Sequence, residues 1–150
     1  MFTFIVQPIN SPSMKYNILV CDDDNNILDL CELILTTNGF NVSTISDCGD
    51  LYIKMHSFKP DIILMDLWMA KVGGKEAVKI IKQNKDTEDI PILIFSALFG
   101  LDKICQKLGT DGFIEKPFDV EDFIKKINKT LLLKEEKARK ILIQNKKSWF

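Results

Sequence analysis

Five polar side chains come directly after apolar runs of the sequence, where they could form one chemical site. They are Asp22, Asp23, Asp24, Asp66 and Ser96. The runs before them, at 17–21, 62–65 and 90–95, have no polar face, which is typical of strands buried on both sides of a parallel sheet. Open α/β sheets bind their ligands at the carboxyl ends of such strands. We therefore expect these acids and this hydroxyl to meet at one edge of a sheet.

Three of the acids need a positive partner if they lie together. Asp22 and Asp23 follow the first run and Asp66 follows the central one, and neighbouring strands are about 4.8 Å apart. Two carboxylates about 5 Å apart repel each other by roughly 3 kcal/mol at an effective dielectric constant near 20. Oxygen ligands with no nearby imidazole suit a hard cation, so we predict Mg²⁺, with Ca²⁺ or Mn²⁺ as substitutes. Lys116, at the end of a later run, supplies a second positive charge.

A carboxylate beside a divalent cation, an ammonium group and a hydroxyl can attack phosphorus and form an aspartyl phosphate. Positioning and electrostatic stabilisation carry most of phosphoryl transfer, and the cation and Lys116 would supply them. We choose Asp66 as the nucleophile because it stands alone after its run, whereas the adjacent Asp22 and Asp23 can hold the metal. A single aspartate at a strand end more often only caps a helix, but a set that also includes Ser96 and Lys116 favours a site.

The pattern around these residues predicts five strands and five helices. The strands are expected at 17–21, 40–45, 62–65, 90–95 and 111–115. The helices are expected at 26–38, at 47–57, after Gly73 and Gly74, at 98–108 and from Asp119. This alternation predicts a doubly wound, flavodoxin-like α/β fold with a parallel sheet in the order 2-1-3-4-5. The residues expected to be buried are Ala77, Val78, Ile80 and Ile81 in the third helix and Val120, Phe123, Ile124, Ile127 and Leu131 in the last.

Composition bounds the chain as a whole. Its 150 residues are 46% apolar and 27% charged, which fits one globular domain with a core. We expect that domain at 15–134, between an N-terminal extension at 1–14 and a helical C-terminal tail at 135–150. The extension is too short to span a bilayer and has no basic start, so no membrane contact is expected and the predicted location is the cytoplasm. The four cysteines have no metal-like spacing and are expected to be reduced, mostly buried thiols.

Four segments occur in a fixed order across about residues 15 to 134: ILVCDDD, PDIILMDLWM with a glycine at 74, PILIFSA and DGFIEKPF. Together they resemble the signature segments of the response-regulator receiver domains of two-component phosphorelays, with the family's order and spacing. The resemblance implies that Asp66 accepts a phosphoryl group from a histidine of a histidine kinase or of a histidine phosphotransfer protein. On this reading the chain is a signalling domain that catalyses only its own phosphorylation and dephosphorylation.

The resemblance also implies the ligands of the predicted Mg²⁺. Asp23 and Asp66 would bind it together with the backbone carbonyl of Trp68, and Asp22 would hold a metal-bound water. Trp68 and Leu98 are bulky and apolar beside the path that a hydrolytic water must take. We therefore expect slow loss of the phosphoryl group.

Two further positions of the resemblance concern switching. Ser96 would hydrogen-bond to the phosphoryl group and Lys116 would pair with it, and the bond from Lys116 to Pro117 is expected to be cis. Phe113 occupies the family's switch-aromatic position, where it lacks the hydroxyl of a tyrosine, so any inward movement must be driven by packing. Ala70 stands where the family usually has proline, a difference that removes no chemistry.

The expected output is a protein interaction. The segment 98–108, the fifth strand and the last helix should form the face that changes on phosphorylation, and a homodimer through the last strand and helix is one use of it. About 17 residues follow Leu133, too few for a DNA-binding unit. The downstream target is therefore expected to be a protein rather than nucleic acid, and the sequence does not identify it.

Three other functions are compatible with such a fold. A flavodoxin-like electron carrier should have a phosphate loop rich in Ser, Thr and Gly where this chain has Asp22, Asp23 and Asp24. A metal-dependent phosphatase should have a second aspartate two residues after Asp66, where Trp68 stands. A receiver-fold interaction module that is never phosphorylated is the third alternative, which the intact set of acids disfavours.

Overall fold

The computed structural model describes residues 16–70 and 73–147, and the extension predicted at 1–14 and residues 148–150 of the predicted tail lie outside these ranges. The strands are β1 (Asn17–Cys21), β2 (Asn41–Ile45), β3 (Ile62–Met65), β4 (Ile92–Ser96) and β5 (Gly112–Glu115). The helices are α1 (Asn25–Thr37), α2 (Leu51–Phe58), α3 (Gly74–Gln83), α4 (Leu101–Leu108) and α5 (Val120–Lys147), with a 3₁₀ turn at Cys48–Asp50 before α2.

The five strands form one parallel sheet in the order β2-β1-β3-β4-β5. The predicted fold class, strand order and number of helices are therefore confirmed. Because all strands run the same way, their carboxyl ends lie at a single edge. The polar residues that follow β1, β3 and β4 consequently meet there.

The core lies on both faces of the sheet. Successive residues of a strand point to opposite faces, so Ile18 and Val20 of β1 join one cluster while Leu19 and Cys21 join the other. Helices α1 and α5 cover the first face, and α2, α3 and α4 cover the second. The sheet thus buries β1, β3 and β4 on both sides, which explains their unbroken apolar runs.

The prediction that Ile80 and Val120 are buried is wrong, since their side chains are 56% and 47% exposed. The buried residues of α3 follow an i, i+3, i+4, i+7 pattern that starts at Gly74, and Ile80 falls beside that stripe. Val120 is the first residue of α5 and lies one turn before Phe123, where the helix begins to cover the sheet.

Two local features refine the predicted boundaries. Helix α4 begins only at Leu101, because Gly100 before it has a positive φ of 70° and ends the loop from β4. The peptide bond between Lys116 and Pro117 is cis, as expected. None of the helices in the described ranges is long and apolar enough to cross a membrane.

Candidate functional site

The backbone sets the acids of β1 and β3 side by side. Cys21 pairs with Met65 in the register of these two strands. The Asp66 N–H donates to the Cys21 carbonyl at 2.9 Å, and the Asp22 N–H donates to the Ile45 carbonyl at 3.1 Å. These bonds continue the ladders by one residue beyond the strands. Asp22 and Asp66 therefore leave the sheet at the same level.

Asp22, Asp23 and Asp66 form a cluster of carboxylates. Each offers one oxygen, and the three oxygens lie within 4.8 Å of one another. Asp22 is fully buried and Asp66 is 6% exposed, whereas Asp23 is exposed to solvent. Repulsion among acids that are partly removed from water calls for more positive charge than one lysine provides. The donor set, all oxygen with one side open to water, fits Mg²⁺, Ca²⁺ or Mn²⁺.

Asp24 has a different contact from the other acids of its run. Its side chain accepts a hydrogen bond from the Asn26 N–H at 2.9 Å and caps the N-terminus of α1. Its own backbone N–H donates to Asp22 Oδ1 at 2.9 Å. The turn that starts the helix therefore also orients the Asp22 carboxylate.

Lys116 reaches the cluster from the loop after β5. Its Nζ donates a hydrogen bond to Asp22 Oδ2 and lies 3.5 Å from Asp66 Oδ2. The same ammonium group lies 4.5 Å from the centroid of the Phe95 ring, within the range of a cation–π contact. The Lys116 N–H donates to the Ser96 carbonyl at 3.0 Å, which fixes where the side chain begins. The structure thus brings Lys116 into contact with Asp22 and Asp66. The sequence linked these residues only because each of them follows a strand.

The protonation of Asp22 reflects its surroundings. Burial raises the pKa of this carboxyl, whereas the hydrogen bonds from Lys116 and from the Asp24 N–H act in the opposite direction. The charge of the neighbouring Asp66 raises the pKa further. Burial and the charge of Asp66 therefore outweigh these hydrogen bonds, and the pKa of Asp22 stays raised. Positive charge beyond that of Lys116 would stabilise the ionised carboxylate.

Ser96 presents an unpaired hydroxyl at the same edge. Its side chain is fully buried, and within the described residues its Oγ has no hydrogen-bond partner. A buried polar group left without a partner costs about 1–3 kcal/mol. An oxygen of a ligand bound at this edge would supply that partner, so the orphaned hydroxyl fits a site that accepts an oxygen-rich group.

The loops after β3 and β4 each carry an exposed aromatic side chain. The Trp68 N–H donates to Asp66 Oδ1 at 3.1 Å, so this residue is fixed to the acceptor through its backbone while its side chain is 69% exposed. Leu98 is half-buried in the loop after β4, and the adjacent Phe99 is almost completely exposed. Of the two bulky residues expected beside the water path, Leu98 is thus the more enclosed.

Gly74 supports the loop that carries Asp66, a role that sequence reasoning missed. A Cβ built at this position would lie 1.9 Å from the Asp66 carbonyl oxygen and 2.8 Å from Cα of Leu67. Both contacts are backbone atoms, so no side-chain rotation can relieve them. The sequence shows a pair of glycines at 73 and 74, which predict a helix start, and Gly74 also belongs to one of the four family segments. Neither pattern predicts a contact with the Asp66 backbone.

Phe113 lies away from the acid cluster, on the edge strand β5. Its side chain is half-buried, and Lys126 Nζ of α5 lies 5.7 Å from its ring centroid. Lys126 also pairs with Asp122 at 3.3 Å. The ring of the predicted switch residue therefore packs against the core cluster that α2, α3 and α4 cover, with Lys126 of α5 beside it, and its role in switching stays a prediction.

The thiols offer no competing nucleophile. All four cysteines lie in the described ranges, where each is buried and free, which confirms their prediction as unpaired thiols. Burial raises the pKa of each of them, and that of Cys31 reaches about 12. They stay protonated and unreactive near neutral pH.

Comparison with known proteins identifies the family. The family model of the response regulator receiver domain matches residues 18–128. The chain belongs to this family. The match includes every residue of the site described above, so the resemblance inferred from four short segments is confirmed. Known receiver domains are signalling domains, which agrees with the class of function predicted.

Curated relatives of the receiver domain are longer proteins. The chain is 34% identical over 121 residues to the response regulator ArlR of Staphylococcus aureus, covering 76% of this chain and 52% of that protein. It is 32% identical over 116 residues to the DNA-binding dual master transcriptional regulator RpaA of Synechocystis, covering 76% of this chain and 48% of that protein. The chain thus spans about half the length of these two relatives.

A solved structure supports the same fold. The chemotaxis protein CheY4 of Vibrio cholerae superposes on the receiver domain with a TM-score of 0.72 and 24% sequence identity. The superposition covers 77% of this chain and 98% of that one. Because the identity is low, the likeness concerns the fold alone.

Proposed function

We propose that this receiver domain is the phospho-accepting switch of a two-component or phosphorelay system. Asp66 receives a phosphoryl group from a phosphohistidine of a histidine kinase or histidine phosphotransfer protein. The observation that carries this proposal is the convergence, at one sheet edge, of three carboxylates, the Lys116 ammonium and the unpaired Ser96 hydroxyl. The cytoplasmic location and the division of the chain at 15 and 134 stay predictions.

The proposed step is a displacement at phosphorus. A carboxylate oxygen of Asp66 forms a bond to phosphorus while the phosphorus–nitrogen bond of the phosphohistidine breaks. The imidazole keeps the bonding electron pair and takes up a proton. Lys116, which is 3.5 Å from Asp66 Oδ2, would neutralise charge on the transferred oxygens, and the Ser96 hydroxyl would donate to one of them.

We assign the metal to Asp22, Asp23 and Asp66, with the Trp68 carbonyl as a further ligand. Asp23 and Asp66 would bind Mg²⁺ directly, and Asp22 would hold one of its waters. When bound, the ion supplies positive charge that reduces repulsion between the acids and the incoming phosphoryl oxygens. The exposed side of Asp23 leaves room for the waters that Mg²⁺ retains.

Phosphorylation would change the site by about −1.5 to −2 charges. A new bond from the Ser96 hydroxyl, and re-pairing of Lys116 from Asp22 to the phosphoryl group, would move the loop between β4 and α4. Through packing, this shift would reach Phe113 and the face made by α4, β5 and α5. We propose that a downstream protein reads this face, and the expected homodimer through β5 and α5 would use it as well.

Incubation of the purified chain with acetyl phosphate tests the proposal. With Mg²⁺ present, the intact mass should rise by one phosphoryl group per chain, because the site needs only a donor and a cation. With the metal chelated by EDTA, the rate should fall by at least about tenfold. An unchanged mass under both conditions, in protein whose circular dichroism shows that it is folded, would rule out phosphoryl acceptance.

Trp68→Ser is expected to shorten the lifetime of the acyl phosphate. We expect the indole, two residues after the acceptor, to exclude water from the acyl phosphate, so its loss should speed hydrolysis by about threefold, a barrier change of about 0.7 kcal/mol. The decay of the phosphorylated mass after removal of the donor measures this rate. Phe99→Ser is the matched control, since that almost fully exposed ring shields nothing. A wild-type lifetime of seconds that Trp68→Ser leaves unchanged would refute the shielding.

A further inference from the structure

Helix α5 is longer than the sheet it covers. Its 28 residues extend about 42 Å at 1.5 Å per residue, whereas the strands of four or five residues span about 17 Å. The last buried residue of the helix is Leu131, and every residue from Glu136 to Lys147 is exposed. We call residues 136–147 the overhang. It continues beyond the amino-terminal edge of the sheet.

The overhang combines positive charge with apolar side chains. From residue 137 to 147 it has five cations and no acid: Lys137, Arg139, Lys140, Lys146 and Lys147. The whole chain has a net charge of −1 and this stretch contributes +5, so the remaining residues together carry −6. Ile141, Leu142 and Ile143 are 47% to 62% exposed on the same helix. The overhang is therefore complementary to an acidic surface that also offers apolar contacts.

Such a surface lies on this chain, next to the residues where the overhang begins. The connector between α3 and β4 carries Asp86, Glu88 and Asp89 against a single lysine, Lys85, and we call these three acids the acidic edge. Within residues 16–70 and 73–147, the side chains of Asp86 and Glu88 form no ion pair, and Asp89 reaches only Lys137, at 3.8 Å. Within a single copy, the acidic edge thus forms one ion pair among the described residues, that of Asp89 with Lys137.

Asp89 of the acidic edge and the overhang flank one cleft of about 300 Å³. Pro91 and Asp89 form one wall, and Lys137, Ala138 and Ile141 form the other. Lys134 and Glu135 directly precede the overhang. The hydroxyl of Tyr16 donates to Glu135, and Lys134 Nζ contacts Asp61 at 3.3 Å. These contacts fix the start of the overhang to the domain. The cleft is therefore preformed.

The outer cations of the overhang cannot use the acidic edge of their own chain. Lys147 is ten residues beyond Lys137, which places it about 15 Å further along a rigid helix. Among the described residues, Lys140, Lys146 and Lys147 form no ion pair. Within residues 16–70 and 73–147 no acid pairs with their charge, which leaves it available to a second molecule.

We propose that the occupant of this cleft is the overhang of a second copy of the chain, in a two-fold symmetric dimer. A two-fold axis beside the cleft places each overhang against the acidic edge of the other copy, so every ion pair forms twice. The apolar side chains of the two overhangs meet at the axis. This surface is distinct from the face of α4, β5 and α5, and the proposal does not depend on phosphoryl acceptance.

Other acidic partners match the overhang less well. Ile141, Leu142 and Ile143 are consecutive and so spread over about 200° of the helix circumference. A flat anionic bilayer covers one side of a helix and would leave part of this set in water, and a nucleic acid backbone would bury little of it. A protein that packs around the helix buries more, and the second copy already carries the matching acids.

Sedimentation equilibrium of the 150-residue chain tests the dimer. We expect a monomer–dimer equilibrium that weakens at high salt, because its charge pairs are solvent-exposed. Reversing the acids (Asp86→Lys with Glu88→Lys) or the cations (Lys140→Glu with Lys147→Glu) should each raise the dissociation constant by at least about tenfold. The chain with all four changes should recover most of the wild-type affinity, which a merely destabilised fold would not do.

The apolar contribution has its own matched pair of variants. Ile141→Ser with Leu142→Ser should weaken the dimer by at least about tenfold, whereas Leu33→Ser, at a 65% exposed leucine of α1, should not. A monomer at all concentrations would overturn the proposal. A dimer that persists in both charge-reversal variants would overturn it as well. So would a chain with all four substitutions that does not recover affinity, or a monomeric chain that floats with phosphatidylserine vesicles. Asp66→Asn should not alter the dimer, which separates this result from the phosphorylation assay.

Discussion

Asp66→Asn is expected to abolish the mass gain from acetyl phosphate completely. A neutral amide oxygen is a far weaker nucleophile towards phosphorus than a carboxylate, and Asp22 and Lys116 are already paired with each other. The variant should still fold, since Asn is isosteric with Asp and removes one charge from a repelling cluster. Its affinity for Mg²⁺ should fall by about tenfold or more because one of three carboxylate ligands is lost.

Asp102→Asn provides the matched control for this charge change. Asp102 is an exposed acid in the first turn of α4. That variant should gain one phosphoryl group at the wild-type rate. Full incorporation into Asp66→Asn would mean that a different residue accepts the group.

Gly74→Ala is the second change with a large expected effect. The new Cβ would need the space of the Asp66 carbonyl oxygen, only 1.9 Å away, so the loop after β3 or the start of α3 must move. Overpacking against backbone should cost about 2–3 kcal/mol of unfolding free energy. The movement should also reduce Mg²⁺ affinity and the rate of phosphorylation, because the displaced residue is the acceptor. Urea denaturation and the acetyl phosphate assay measure the two effects.

The neighbouring glycine supplies the control. A Cβ at Gly73 would meet nothing within 4 Å, and its φ of −62° is open to any residue. Gly73→Ala should therefore change the unfolding free energy by about 0.5 kcal/mol or less. If both variants lose the same unfolding free energy and the same phosphorylation rate, the loss comes from placing alanine at the helix start. The close approach of Gly74 to Asp66 would then have no consequence.

The sheet was predictable because its pattern is simple. The central runs have no polar face, as burial on both sides requires, and the polar residues that follow them mark the strand ends. Exposed margins of helices were less predictable. Ile80 is apolar but lies beside the buried stripe of α3 and is 56% exposed, which its residue type alone does not reveal.

The members of the site were also predictable, but their contacts were not. Strand order alone brings Asp22 next to Asp66, whereas the pairing of Lys116 with Asp22 depends on the path of the loop after β5. The unpaired state of the Ser96 hydroxyl and the contact of Gly74 with the Asp66 backbone depend on distances between residues far apart in the chain. Local sequence patterns carry no such distances.

Chemical trapping of the modified residue tests the central claim most directly. Borohydride reduces an acyl phosphate to an alcohol, and tandem mass spectrometry then locates the reduced side chain. After treatment with acetyl phosphate and Mg²⁺, we predict homoserine in place of Asp66 and an unmodified carboxylate at Asp22 and Asp23. Reduction at either of those two residues, or no reduction at Asp66 in protein whose mass has risen by one phosphoryl group, would contradict the account.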